Sequence, residues 1–571
     1  IVYGTHSQTM LLVSWNVAGL KPALQKIHSD YGQSSSSDQK KSNNATNKSF
    51  DPFANYLRLH GDIDILCVQE HKIPLTQLSS SAEPYRCSSV DGYESFWSCA
   101  TDQKSRGFNG VVTYVKKGLV QSADTTPFKD PELDSQGRCV MTDHDKLVIF
   151  NVYVPCGNGP GKMKFLYALR EAIDRQRIGG KHVILMGDMN LRIDKRDVHW
   201  LDRVINVDQI IDEVGQNNES NSLPLWKRQI ADKWSNIVMI LKTIEAVPRQ
   251  TTNPSTKETF EKFRARITTS DNQFVWLGSF EDTPENALSD YNFDEQSCID
   301  PVSNAAIICR KKNALSVRTL IELMNKVGGA QWDINVQREI GNSVDATLNT
   351  DSPPYMWMKT LLEADDGMVD VFRHFYPTAE DRFTCWHQFT QRRYVNEGAR
   401  IDFTLVDKTL MTFVEPIDGT SLRCGTEPRI DPLGKEAALS AATANGLFEP
   451  GSFAGGGIAV ATKRALDTQF GEAHTGMIYT PPSYSDHIAV SLLMKESFRE
   501  LIGTLDLLND AQTRKSQPHK KQRSIASFFG TSSSSNVSTN SATSREKRKI
   551  LQEAKPCKTS TVASFFKPKP R

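Results

Sequence analysis

Seven short apolar runs, spread from residue 10 to residue 494, constrain this chain more than any bulk property. They are "MLLVSWNV", "DIDILCVQE", "GVVTYV", "KLVIFNVYVP", "HVILMGDMN", "ARIDFTLVD" and "HIAVSLLM". Each is rich in Val, Ile and Leu and short enough to read as a strand. Their apolar character is mostly continuous rather than alternating, so both faces of each strand must be covered. The segments "KFLYALREAIDRQR" and "ALSVRTLIELMNKV" carry helical spacing. Covered strands interspersed with helices predict an α/β domain over residues 1–505.

Three stretches interrupt the pattern. Residues 29–50, rich in Ser, Asn, Gln and Lys, read as an inserted loop. Residues 205–350 separate two groups of strands and hold helical patterns. Residues 425–478, with "FAGGGIAVAT", read as an irregular excursion. Residues 506–571 lose all periodicity and read as a disordered tail. Residues 511–571 hold 14 Lys+Arg against 2 Asp+Glu, which leaves 54 against 65 in residues 1–510. An acidic body with a basic tail predicts a tail that meets a polyanion or carries a targeting signal. The ten cysteines form no CxxC pair and no Cys/His cluster, and read as reduced intracellular thiols. The absence of an apolar run of about 18 residues removes any transmembrane candidate. The first residue is Ile and "IVYGTHSQTM" lacks the order of a signal peptide, so the natural N-terminus is expected upstream.

Polar residues stand where these strands meet their loops. They are Asn16 in "SWNVAGL", Glu70 in "CVQEHK", Tyr153 in "NVYVP", Asp188 and Asn190 in "MGDMN", and Asp486 and His487 in "SYSDHIAV", with Asp402 opening the strand of "GARIDFTLVD". Singly, each is an ordinary loop or turn feature. Together they make the parts list of metal-assisted phosphodiester hydrolysis. Glu70 and Asp486 are hard oxygen ligands of the kind Mg²⁺ prefers. Asp188 can orient and deprotonate a water, and Asn16 and Asn190 can hold a carboxylate, the metal or a phosphate oxygen. His487 can sit on the phosphate, with Asp402 fixing its tautomer. Tyr153 offers a hydroxyl donor near a leaving group.

The order WN-x-x-G, QE-x-K, N-x-YVP, GD-x-N, R-x-D-[FY] and SDH resembles the exonuclease/endonuclease/phosphatase superfamily, and within it the exonuclease III type of apurinic/apyrimidinic (AP) endonucleases. The likeness runs through most of residues 9–495, and "VFRHFYP", "RFTCWHQFT" and "NEGARIDF" are similar to the AP endonuclease 2 group. The resemblance implies a four-layer sandwich of two packed mixed β-sheets flanked by helices. It implies a metal site with Mg²⁺, or Mn²⁺, drawn from Asn16, Glu70, Asp188, Asn190, Asp486 and His487. It implies catalysis by Tyr153, Asp188, Asn190, Asp402 and His487, and DNA contacts from Arg106, Arg138 and Trp386. The implied substrate is double-stranded DNA with abasic sites or with blocked or recessed 3′ ends, cleaved by a monomer in base excision repair. Where the type 1 group walls the abasic-sugar pocket with two aromatics, this chain places Cys385 and Ala399. That opens the pocket and shifts the expectation from AP-site incision toward 3′→5′ exonuclease and 3′-end trimming.

Several positions depart from the family pattern. Ala18 stands where type 1 members carry an acidic residue, and Cys156 where many carry Asn. "GDMNLRID" is reminiscent of inositol polyphosphate 5-phosphatases, but "ARID" occupies the place of their "WCDR" motif, which favours the nuclease. The Cys/His zinc finger that often ends group 2 proteins has no matching spacing here. A catalytically weak scaffold on the same fold is the remaining alternative, and the intact set of motifs argues against it.

The tail repeats one apolar signature. Gln522, Ile525, Phe528 and Phe529 match the Q-x-x-[ILM]-x-x-aromatic-aromatic peptide that docks on sliding clamps. Val562, Phe565 and Phe566 repeat it over residues 559–566, with Thr559 at the Gln position, and predict a weaker site. The expected partner is the sliding clamp PCNA. The basic stretches "RKSQPHKKQR" and "KRKILQEAKPCK" also read as nuclear import signals, which predicts a nuclear protein.

Overall fold

The computed structural model describes residues 9–31, 51–78, 82–157, 159–216, 222–252, 259–269, 272–299, 306–350, 352–387, 392, 396–415, 473–478, 480 and 484–502. The clamp-type peptides at 522–529 and 559–566, with the rest of the 506–571 tail, lie outside these residues. So do residues 32–50 and 416–472, which hold most of two expected insertions.

The first eight strands are β1 (Met10–Asn16), β2 (Ile65–Gln69), β3 (Tyr93–Ser98), β4 (Val111–Lys116), β5 (Ser122–Asp124), β6 (Cys139–Asp143), β7 (Leu147–Tyr153) and β8 (His182–Asp188). One six-stranded mixed sheet runs Gly476–Ile478, Ala489–Met494, β1, β2, β4, β3, with β1 and β2 parallel. The other runs Met368–Asp370, Asp402–Asp407, β8, β7, β6, β5, with β7 and β8 parallel.

Successive side chains of a strand point to opposite faces, so a continuous apolar run can feed two cores at once. Met10, Leu12, Ile65 and Cys67 of one sheet meet Ile149, Ile184, Met186 and Val406 of the other. The alternate residues Leu11, Val13, Leu66 and Val68 face outward into a core shared with Leu24 and Ile27 of the Leu20–Tyr31 helix. Phe150, Val183, Leu185 and Phe403 likewise pack with Phe165 and Leu169 of the Pro160–Ile178 helix and with Met358 and Leu361 of the Pro353–Glu363 helix. The result is the helix–sheet–sheet–helix sandwich expected. A polar cross-link joins the sheets, because Gln69 Nε2 donates to Asn151 Oδ1 at 2.8 Å and Asn151 Nδ2 to Val112 O at 2.9 Å.

The interruptions differ from their sequence reading. Residues 205–350 hold more than helices. Strands Glu245–Thr252, Thr259–Thr268 and Phe274–Glu281 form an antiparallel sheet, packed on the helices Leu225–Leu241 and Val317–Lys326 around a core of its own. The expected excursion over 425–478 ends in a strand of the first sheet, Gly476–Ile478, and residues 29–31 of the expected loop close a helix. Cys309 is disulfide-bonded, against the expectation of reduced thiols throughout, whereas Cys67, Cys87, Cys99, Cys139, Cys156 and Cys385 are free. Among the described residues no helix is long and apolar enough to cross a membrane.

Candidate active site

The two parallel pairs bring strand ends together. Asn16 pairs with Gln69 across β1 and β2, Tyr153 with Asp188 across β7 and β8, and Asp402 with Asp188 across the antiparallel neighbour. Loops leaving these ends adopt costly backbone. Ala18 (φ 50°), Glu70 (φ 53°), Lys72 (φ 57°) and Asn190 (φ 48°) are all left-handed, at about 1–2 kcal/mol each for residues with a Cβ. Gly187 has φ 145°, and a Cβ there would stand 2.0 Å from Val152 O, so "MGD" needs its glycine to keep β8 against β7.

Asn16 ties the site together. Its Nδ2 donates to Glu70 Oε1 at 3.0 Å and to Asp188 Oδ2 at 2.9 Å, while its Oδ1 accepts from Ala18 N. The side chain is therefore a bridge between carboxylates. Asn190 donates its backbone N–H to Asp188 Oδ1 at 2.8 Å and its Nδ2 to Val154 O and Asp188 Oδ2. His487 Nδ1 meets Asp402 Oδ2 at 2.8 Å, and Ser485 Oγ links the His487 N–H to Asn16 O. One ligand atom each of Asp188, Asp402 and His487 lie within 4.8 Å of one another, a group able to hold a metal ion.

Burial sets the electrostatics. Desolvation, reinforced by the Asp402 charge and opposed by His487, pushes the Asp188 carboxyl up to about 7. Burial would lower the His487 imidazole, but Cys385 and the Asp402 carboxylate outweigh it and hold the ring well above its ordinary value. Burial would raise Glu70, but Lys72, whose Nζ stands 2.9 Å from Glu70 Oε2, and the Asn16 amide keep it below the usual carboxylate range. Burial raises Asp486, and its Oδ1 has no hydrogen-bond partner among the described residues. Burial and the Glu70 charge push the Tyr153 phenol well up, so it stays protonated as a donor. A hard-oxygen pair, one member anionic and the other with an orphaned buried oxygen, suits a divalent cation.

The expected DNA contacts fare unequally. Arg138 lies beside the site, its guanidinium 4.6 Å over the Tyr153 ring and donating to Tyr153 O. Arg106 donates to Thr101 O in a surface loop. Trp386 is a correction. It is 1 % exposed, packs with Phe383, Ile488 and Val490, and donates Nε1 to Asn396 Oδ1, which makes it a core side chain rather than a DNA contact. Cys385 and Ala399 pair in a short two-stranded ribbon, and Cys385 also bridges to His487.

Two residues were missed. Lys162 is 2 % exposed in the first turn of the Pro160–Ile178 helix, and its Nζ donates to Asn190 O at 2.7 Å. Desolvation lowers it to about 8. A lysine at a helix N-terminus opposes the helix dipole, and that mismatch in "GPGKMK" was a readable signal. Arg400, 1 % exposed, bridges Asp197 Oδ1 at 2.8 Å and Asp370 Oδ2 at 2.6 Å and stacks on Phe403, fixing the strand that carries Asp402.

Residues 13–263 match the model of the Endonuclease/Exonuclease/phosphatase family. The match covers less than half of the chain. The family match stops short of Asp402, Asp486 and His487, although their strands complete both sheets. The chain is 28% identical over 228 residues to a Bos taurus protein named DNA-(apurinic or apyrimidinic site) endonuclease 2, covering 33% of this chain and 40% of that protein. The Homo sapiens protein of the same name is 28% identical over 231 residues, again 33% of this chain and 40% of the relative. The similarity therefore spans about two fifths of each relative's length. The crystal structure of the Xenopus laevis APE2 catalytic domain aligns with TM-score 0.36 and 16% identity over 85% of this chain and 92% of that one. The fold itself stands on the strand pairing above. The expected resemblance of the chain to the AP endonuclease 2 group holds.

Proposed function

We propose that the chain is a metal-dependent DNA repair nuclease that hydrolyses phosphodiesters at abasic sites and trims 3′ ends. The observation that supports this best is the convergence of Asp188, its two Asn partners and the His487–Asp402 pair at one end of both sheets. Asp188, held near 7, is suited to take the proton of an attacking water at physiological pH. Asn190 and the cationic His487 stabilise charge developing on the phosphate, and Asp402 keeps His487 oriented. Tyr153, protonated and beside Arg138, donates to the leaving 3′ oxygen. Glu70 and Asp486, with Asn16 nearby, would hold Mg²⁺ or Mn²⁺, which supplies Lewis-acid polarisation of the phosphate.

The small residues Cys385 and Ala399 favour 3′→5′ exonuclease and 3′-phosphodiesterase action over capture of an extrahelical abasic sugar. The peptides at 522–529 and 559–566 tether the enzyme to the sliding clamp in the nucleus, raising its local concentration at 3′ ends. Product analysis tests the reading directly. A labelled abasic duplex and a matched 3′-recessed duplex are incubated with the full chain, with and without Mg²⁺. Mg²⁺-dependent products ending in 3′-OH on both are expected, with trimming the faster. No cleavage of either duplex at any divalent concentration contradicts the reading.

A further inference from the structure

The inserted lobe shows water a sheet face unlike the rest of the acidic body. One face of the 245–281 sheet carries the core residues Ala265, Ile267 and Leu277, packed on Trp234, Leu320 and Met324. Strand alternation therefore turns Lys262, Arg264 and Arg266 to the other face. Cross-strand register adds Val247 opposite Arg264 and Arg249 opposite Lys262 on one side, and Trp276 opposite Arg266 and Phe274 opposite Thr268 on the other. Phe274 is 57% exposed, and Trp276 and Phe280 are each 36% exposed.

The charges and rings on this face interleave. The Arg266 guanidinium lies 4.1 Å from the Phe274 ring centroid, and that of Arg264 lies 5.8 Å from Trp276 and 5.6 Å from Phe280. Arg249 lies 5.5 Å from Phe280. Two acids offset part of the charge, since Glu245 pairs with Arg266 at 2.6 Å and Asp282 pairs with Lys262 at the edge. Among the described residues of this face, four cations stand against two acids, in a body where residues 1–510 hold 54 Lys+Arg and 65 Asp+Glu.

Three large rings exposed on one strand stand outside the core of the lobe, which lies on the opposite face. A ring held open beside a guanidinium is the pairing that receives a base between an aromatic face and a cation, with the phosphate on a neighbouring charge. Clustered exposed aromatics on a solvated sheet are otherwise a solubility liability. We infer that this face is a platform for single-stranded DNA, stacking bases on Phe274, Trp276 and Phe280 while Arg249, Arg264 and Lys262 meet the backbone. The choice of DNA rests on the nuclease reading above, whereas the stacking chemistry stands apart from it. Such a platform would hold the strand displaced or left unpaired next to a 3′ end.

The test uses the full chain in EDTA, so that binding is read without cleavage, at about 0.15 M salt to screen the basic tail. Oligo(dT) of about 16 nucleotides is titrated by anisotropy, with a 4-thiothymidine version for photocrosslinking. The Phe274→Ala/Trp276→Ala protein is expected to bind about 10- to 100-fold more weakly through lost base stacking. Arg264→Gln is expected to weaken binding and flatten its salt dependence. Crosslinks are expected between residues 274 and 280. Unchanged affinity in the double variant overturns the inference, as do crosslinks confined to residues 511–571 or tighter binding of oligo(U) or of an acidic peptide. Both variants are also assayed on a short, fully paired abasic duplex, where unchanged cleavage is expected. Loss of oligo(dT) binding with cleavage intact supports the platform. Absence of cleavage in the parent chain with binding still lost in the variant removes the nuclease reading and leaves the stacking face.

Discussion

The candidate catalytic end of the two-sheet core and the outer face of the inserted sheet use polar groups in opposite ways. At that end Asp188 is held by Asn16 and Asn190, His487 by Asp402 and Glu70 by Lys72, all with little exposure, while one Asp486 oxygen has no partner among the described residues. On the inserted sheet the cations lie over exposed rings and their acidic partners stand at the margin. Burial makes the first region stiff and its charges strongly perturbed. Exposure leaves the second adaptable and nearly neutral to stability. Substitutions should therefore cost folding or rate in the first region, and binding alone in the second.

The largest effect on stability is expected where the catalytic end is most buried. Arg400→Met leaves Asp197 and Asp370 facing each other without their shared cation, and should cost about 3–5 kcal/mol in denaturant unfolding. A loss below about 1 kcal/mol would show that Arg373, which also reaches Asp197, carries that network.

Acid should act on the same core. Burial lowers His144, bonded to Thr142 and Leu119 between β6 and the neighbouring turn, to about 4. Its folded value lies below the unfolded one, so its contribution is complete above pH about 6.5 and is lost as pH falls toward about 4. The loss should be on the order of 3 kcal/mol, and His144→Gln should flatten that part of the stability–pH curve.

Asp402→Asn keeps the hydrogen bond but removes the charge that favours imidazolium at His487. Cleavage should fall about 10²-fold, near 2.7 kcal/mol, while the melting temperature holds. The smallest effect belongs to the exposed face. Phe274→Ala should change unfolding free energy by less than about 0.5 kcal/mol, as expected for an exposed ring outside the core. A larger loss would mean the ring packs, and would blur the contrast between the two regions.

What could be read in the sequence follows from the same contrast. Asn16, Glu70, Asp188 and Asp402 were legible because a polar residue at the end of a continuous apolar run has few structural reasons to be there. The four layers were legible only through the resemblance, since a run apolar on both faces does not say which face meets a second sheet. Trp386 misled because a tryptophan beside a pocket reads the same whether it lines the wall or backs it. The inserted sheet went unseen although "FRARI" places Phe263, Ala265 and Ile267 on one side and Arg264 and Arg266 on the other. Its alternation was the signal, hidden among stronger helical patterns. The left-handed turn at Glu70 depends on contacts across the chain that no local pattern encodes, whereas Lys162 left a local signal in its place at a helix N-terminus.

One measurement bears most directly on the catalytic assignment. Purified Asp188→Asn protein is compared with the parent chain on a labelled abasic duplex with Mg²⁺, following cleavage and DNA binding together. Cleavage should fall by about 10³-fold or more with DNA affinity retained. Full cleavage by the Asp188→Asn protein would contradict the site as it is assigned.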